Sequence, residues 1–243
     1  MALLLYGALE LIVKRPATRD RQAEWLHRLC ARSMRSMGIA LRCQGTFPKR
    51  GVVISNHTGY LDIIAFAALH PCVFVAKSEI RSWPFLGWMT TMAGTVYVDR
   101  GRGGSATRAA GGMQAAEDAG IPVVFFPEGT TSNGASVLKF HSGLLIKSLE
   151  AAQPITAAFL SYRLAQGSDP GFTAENDVSY WGDTPLLLHI FRLLGLRGIE
   201  VEARFADFPI SFSVGPDQRK LLAAEARAAV MDLGGVGDTV TAD

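Results

Sequence analysis

Val52-Val53-Ile54-Ser55-Asn56-His57-Thr58-Gly59-Tyr60-Leu61-Asp62 is an apolar run that breaks into a polar, glycine-bearing cluster before turning apolar again. Three β-branched residues in succession have strand character, and a short run of this kind bounded by a turn suits a strand buried on both faces. Such a strand delivers His57 to its mouth. If a helix opens near Thr58 or Gly59, Asp62 falls in its first turn, where its carboxylate can face back toward the imidazole. Imidazole titrates near neutrality, and a carboxylate on one ring nitrogen fixes the tautomer and stabilises the imidazolium, so the pair reads as a general base with its orienter. A core histidine at a helix N-terminus would show the same spacing, and that plainer reading stands beside the first.

A second β-rich run, residues 121–126, ends in Pro127-Glu128-Gly129-Thr130-Thr131-Ser132-Asn133-Gly134. Both runs therefore end in polar turns, which meet at the carboxyl edge of an open α/β sheet, where sites form. The surrounding pattern agrees. Strands are expected over 39–43, 51–55, 72–77, 94–98, 121–126, 155–161 and 199–205. Helices are expected over 61–69, 83–92, from about 106 to 119, and over 140–151, 186–194 and 216–233, with a loop at 167–177. The segment 83–92 is apolar all round, so it is either buried or lipid-facing. The expected fold class is α/β: a single mixed-sheet domain over 39–233, flanked by helices, with an N-terminal helical region at 1–38 and a disordered, Gly-rich tail at 234–243.

The 243 residues are 49% hydrophobic and 19% charged, ample for one core. A mean hydropathy of +0.19 is high for a freely soluble protein and suggests contact with lipid. Charge is uneven: residues 1–50 hold ten Lys or Arg against three acidic residues, a balance of +7, while the rest of the chain sums to −5. Residues 1–13 are apolar apart from Glu10 and stop at Lys14-Arg15-Pro16. As a helix they span roughly 20 Å against about 30 Å of hydrocarbon, too short to cross a bilayer and suited to lying in its interface. The flanks of a secretory signal peptide are missing. From 21 to 37, Trp25, Leu29, Met34 and Met37 interleave with Arg28, Arg32 and Arg35, as in a basic amphipathic helix resting on anionic lipid; a surface helix packed on its own domain has the same pattern. The amphipathic membrane anchor is accordingly placed at 1–38, and the anionic membrane surface is the expected partner, with no nucleic acid.

Cys30, Cys43 and Cys72 have no metal-ligand spacing and cannot all pair, which fits a reducing compartment. No metal site is readable, and His27, His70, His141 and His189 are scattered. Gly101, Gly103 and Ala106 match a dinucleotide-binding spacing, but no acidic residue closes the following strand at the usual distance except Glu128. The Gly-x-Ser-x-Gly elbow of serine hydrolases does not occur.

Asn56-His57 with Asp62, then Lys77-Ser78-Glu79 with Pro84 and Gly87, then residues 94–100, then Phe126-Pro127-Glu128-Gly129-Thr130, in this order and spacing, resemble the blocks of the glycerolipid acyltransferase family, which includes bacterial 1-acyl-glycerol-3-phosphate acyltransferases. The resemblance implies acyl transfer from acyl-CoA or acyl carrier protein, without a further cofactor, to the hydroxyl of a lysolipid, at the cytoplasmic face of the cell membrane. It makes His57 the base and Asp62 its partner. Arg100, Glu128, Gly129, Thr130 and Lys139 fall to the acceptor, with Asn56 and Lys77 in support. The acceptor implied first is 1-acyl-sn-glycerol-3-phosphate, giving phosphatidic acid. One position departs from the pattern: Thr131 stands where the family block continues with an Arg, and a lost guanidinium is a lost bidentate phosphate contact. The continuation Thr-Thr-Ser-Asn-Gly instead resembles members acting on other lysolipids, among them lysophospholipids with larger headgroups and lyso-ornithine lipid. A non-catalytic lipid-surface module is the alternative from another class, since the basic arm alone would bind anionic bilayers.

Overall fold

The computed structural model describes residues 7, 9, 10, 16–84, 86–99, 104–165 and 171–237. Among these, seven strands form one mixed sheet in the order β1-β7-β6-β2-β5-β3-β4: β1 is Ala40–Gln44, β2 Val52–Ile54, β3 Val73–Lys77, β4 Val96–Val98, β5 Val123–Phe125, β6 Ile155–Leu164 and β7 Ile199–Phe205. The strands β6, β2, β5, β3 and β4 run parallel to one another, β7 is antiparallel to β6, and β1 is parallel to β7. The carboxyl ends of β2, β3, β4 and β5 consequently open on one edge. Because β2 and β5 are adjacent and in register, Ile54 against Phe125, the two polar turns that follow them emerge side by side.

Side-chain alternation places a core on each face of the sheet. Val52 and Ile54 join the cluster beneath α4 (Ser105–Asp118), α5 (Gly143–Glu150) and α7 (Arg219–Gly234). Val53 joins the opposite cluster, beneath α1 (Arg19–Ser36), α2 (Tyr60–Leu69) and α6 (Leu186–Gly195). All three β2 residues are wholly buried, which is why that strand reads as an unbroken apolar run. In β7, by contrast, Ile199, Val201, Ala203 and Phe205 are buried while Glu200, Glu202 and Arg204 alternate with them on the more open face.

Two of the sequence readings are narrowed here. The apolar stripe of α1 faces the protein: Trp25 and Leu29 pack with Met89 and Ala93, bringing α1 against α3 (Leu86–Met92), while Cys30 and Met34 enter the α2-side core. Arg28 lies 3.8 Å from Glu10 and 3.9 Å from Glu24, and Arg32 lies 3.7 Å from Glu10, so part of the basic arm is paired within the chain. Of the two readings of this helix, the packed surface helix accounts for its apolar side. The membrane anchor expected over 1–38 finds no support from that stripe, and residues 1–6, 8 and 11–15 lie outside the described residues. No described helix is long and apolar enough to cross a membrane.

The second reading concerns 83–92. A 3₁₀ turn, Ser78–Ser82, precedes it, and the helix α3 begins only at Leu86, after Trp83 and Pro84. Gly87 lies within α3, where a Cβ would run into the Arg81 carbonyl oxygen, so the glycine permits the turn to fold back on the helix. Trp83 and Trp88 are 42% and 38% exposed. At the other end of the chain, α7 runs to Gly234, and positions 238–243 of the expected tail lie outside the described residues.

Candidate functional site

After Ile54 the ladder between β2 and β6 is continued by a side chain. Asn56 Nδ2 donates to the Leu160 carbonyl at 2.9 Å, and its Oδ1 accepts from the Leu160 amide at 2.8 Å and from the Ser55 hydroxyl at 3.0 Å. The asparagine copies a peptide group, which frees the backbone to leave the sheet where His57 begins. Either side of His57 is then fixed. The Ser132 amide donates to the His57 carbonyl at 3.0 Å and the Tyr180 amide to the Thr58 carbonyl at 2.8 Å.

Asp62, wholly buried at the third position of α2, gathers five donors. Its Oδ2 accepts from His57 Nδ1 at 2.7 Å, from the Thr58 amide at 2.6 Å and from the Gly59 amide at 3.0 Å. Its Oδ1 accepts from the Thr58 hydroxyl at 3.0 Å and from the Tyr162 hydroxyl at 2.5 Å. The bond to the Gly59 amide is the back-reaching half of a capping box, and the negative charge sits against the positive end of the α2 dipole. A Cβ at position 59 would stand 3.0 Å from the Tyr180 amide nitrogen, so the helix entry leaves little room for a side chain there.

The tautomer of His57 follows from this set. With Asp62 accepting, Nδ1 carries the hydrogen and Nε2 is left with its lone pair. Nε2 has no hydrogen-bond partner among the described residues, and the side chain is 16% exposed. The ring lies flat on Phe126, centroids 4.0 Å apart and planes 8° from parallel, which fixes the direction in which Nε2 points.

Glu128 closes the corner from β5. Its Oε1 accepts from the His57 amide at 2.9 Å, and its Oε2 is buried without a hydrogen-bond partner. Burial raises this carboxyl from the ordinary 4.5 to about 7; the amides of His57 and Leu138 and the Arg227 guanidinium pull it down, and the Asp62 charge adds to the rise. Between about pH 4.5 and 7 the folded chain therefore holds a proton that the unfolded chain has lost, and stability falls as pH rises through that window. Glu128→Gln keeps an oxygen for the His57 amide and removes the titration. Urea denaturation should find it about 2 kcal/mol more stable than the parent near pH 8, with the gain gone near pH 4. A difference independent of pH would show that burial does not hinder Glu128 ionisation.

The remaining turn residues are placed as follows. Gly129 adopts φ +69°, the left-handed conformation glycine tolerates, as the chain reverses after Phe126. Arg227 of α7 donates through Nη2 to the Val137 carbonyl at 2.7 Å and through Nε to the Leu138 carbonyl at 3.1 Å, tying the 127–142 loop to the helix layer. Thr130 and Lys139 are exposed on that loop, and Lys77 is half-buried at the carboxyl end of β3. Arg100 lies outside the described residues, as do Gly101 and Gly103 of the dinucleotide-like spacing.

The sequence reading did not single out Thr58, Tyr162, Tyr180 or Arg227, and it put Phe126 to no use beyond its block. Tyr162 lies beyond the expected end of β6 and reaches Asp62 only through the sheet register, so no local signal marks it. Among the histidines read as scattered, His189 is 3% exposed and its Nε2 donates to the Ser179 carbonyl at 2.9 Å. Its Nδ1 therefore accepts from the Tyr60 hydroxyl at 2.9 Å, and burial lowers its pKa, in keeping with a neutral ring. Cys72 is 1% exposed in the core, with burial pushing its thiol well above the usual range.

A family model described as Acyltransferase matches residues 39–161. A lyso-ornithine lipid O-acyltransferase of Pseudomonas aeruginosa is 36% identical over 178 residues, covering 72% of this chain and 64% of that protein. One from Brucella abortus is 30% identical over 212 residues, covering 84% and 78%. A 1-acyl-sn-glycerol-3-phosphate acyltransferase of Neisseria gonorrhoeae is 36% identical over 158 residues, covering 65% and 60%. The chain thus spans just under two thirds of the Pseudomonas relative's length. The crystal structure of the 1-acyl-sn-glycerophosphate acyltransferase PlsC of Thermotoga maritima shares the fold, with a TM-score of 0.60 at 17% identity over 98% of this chain and 97% of that one. With the family model spanning half the chain, from β1 into β6 and across both polar turns, the chain belongs to the acyltransferase family.

Proposed function

We propose that the chain transfers a fatty acyl group from acyl-CoA or acyl carrier protein to the free hydroxyl of a lysolipid. The observation that carries the reading is the His57 ring, its Nδ1 bonded to buried Asp62 and its Nε2 unpartnered among the described residues at the carboxyl edge of the sheet. Nε2 takes the proton of the acceptor hydroxyl as its oxygen attacks the thioester carbonyl carbon. The tetrahedral adduct collapses with cleavage of the C–S bond, and the departing sulfur takes the proton back from Nε2. One ester and one thiol result, with no acyl-enzyme. Buried Cys72, its thiol held protonated, is not placed to serve as a nucleophile.

Lyso-ornithine lipid is the acceptor favoured here over the 1-acyl-sn-glycerol-3-phosphate expected first. Thr131 replaces the guanidinium of the family block, and a zwitterionic headgroup without phosphate has no need of it. Relatives named for lyso-ornithine lipid also cover more of this chain. Purified protein supplied with labelled acyl-CoA or acyl carrier protein should acylate lyso-ornithine lipid with kcat/KM about 10-fold or more above that for 1-acyl-sn-glycerol-3-phosphate. The reverse preference would overturn the acceptor assignment. Absence of transfer to any lysolipid, with vesicle binding intact, would favour the non-catalytic surface module. The place of action that goes with this reading is the cytoplasmic face of the cell membrane.

A further inference from the structure

We propose that the outer face of α6 is a lipid-docking surface which seats the molecule on an anionic bilayer beside the candidate site. Leu187, Leu188, Phe191 and Leu194 are 71%, 45%, 67% and 50% exposed. At 100° per residue these four fall within one arc of about 120°, while His189 and Leu193 hold the opposite side to the protein. Trp181, 42% exposed, precedes the helix, its indole N–H donating to the Glu175 carbonyl at 2.9 Å.

Charge selects the occupant. The helix itself carries Arg192 and no acidic residue, and Arg197 is exposed just beyond it; Asp183 and Glu200 flank the segment, Glu200 lying 3.5 Å from Arg163. Arg192 borders the apolar arc next to Leu188, the arrangement by which an interfacial helix meets anionic headgroups. A second copy of the chain is a poorer fit. Four such side chains offer on the order of 400 Å², about half of what one partner supplies to a standard protein interface. At ten residues, roughly 15 Å, the helix would lie in the interface and not cross it.

The face is also joined to the site. His189 on the inner side of α6 bonds to Tyr60, the first residue of the helix that carries Asp62, and the Tyr180 amide bonds to the Thr58 carbonyl. α1, whose apolar stripe is turned inward, packs on this same side of the sheet. Seating on this face thus fixes how the sheet edge that carries His57 is turned toward the bilayer from which a lysolipid comes. That last step rests on the lysolipid reading; the docking surface does not.

The test uses the full chain and the triple variant L187Q/F191Q/L194Q, with co-sedimentation on phosphatidylcholine vesicles with and without about 30% phosphatidylglycerol. Wild type should bind the anionic vesicles better, and the variant should partition about 10-fold or more weakly. Turnover of a vesicle-borne lysolipid should fall in parallel, while turnover of a short-chain acceptor dissolved as monomer is unchanged. Unaltered vesicle binding by a variant with native circular dichroism would overturn the proposal. So would a wild-type dimer in lipid-free buffer that the variant converts to monomer, since a second copy would then cover the face. Loss of vesicle binding in a chain inactive on every lysolipid would leave the surface standing and remove the reaction.

Discussion

His57→Ala should lower kcat for acyl transfer about 10³-fold while leaving the protein folded. The substitution removes a ring nitrogen whose lone pair has no hydrogen-bond partner among the described residues, and no described neighbour is placed to replace it. Asp62 is wholly buried behind the ring, and Glu128 is turned to the His57 amide. The expected cost in stability is small. Asp62 keeps four of its five donors, and the lost contact with Phe126 amounts to about 1 kcal/mol. Single-turnover transfer and urea denaturation, measured on the same preparation, separate the two effects. A variant that unfolds would mark His57 as a core histidine, the plainer reading of the same spacing. A folded variant with undiminished turnover would remove the ring from the chemistry.

What was legible in the sequence was what is local. The strand-to-turn break at Ile54 and the five-residue step from His57 to Asp62 are both fixed by chain geometry, and the structure brings the two side chains within 2.7 Å. That two polar turns meet at one edge was also readable, because parallel strands share their carboxyl side. Contacts made through the sheet were hidden. The apolar run of β6 gives way at Ser161, so its end was set there, yet pairing with β7 carries the strand to Leu164 and brings Tyr162 to Asp62. Glu128 stood in a recognisable block, but its bond to the His57 amide depends on β2 and β5 being neighbours. The pattern of α1 was ambiguous in principle, since an apolar stripe looks alike whether lipid or protein covers it. The reverse held for α6, where the sequence showed an apolar helix and only the structure shows four of its large side chains left in the open.

Asp62→Asn and Asp62→Ala should part company, and the difference reports what the carboxylate does. In the Asn variant the amide oxygen can take the place of Oδ2, because the backbone amides of Thr58 and Gly59 that face it can only donate, and the His57 ring nitrogen beside them then keeps its hydrogen. The amide NH₂ then faces the hydroxyls of Thr58 and Tyr162, and a hydroxyl can rotate to accept. Asn should therefore keep the fold and the His57 tautomer within about 1–2 kcal/mol and lose only the negative charge behind the imidazolium, with kcat falling about 10²-fold or more. In the Ala variant five donors lose their acceptor in a wholly buried place, at a cost of about 3–5 kcal/mol. Against a typical total of about 5–15 kcal/mol, that is enough to move the urea midpoint far down. Equal midpoints for the two variants would show that water fills the space left by the carboxylate. Full activity in Asp62→Asn would show that position 62 needs an acceptor and not a charge, and the general-base reading of His57 would lose its support.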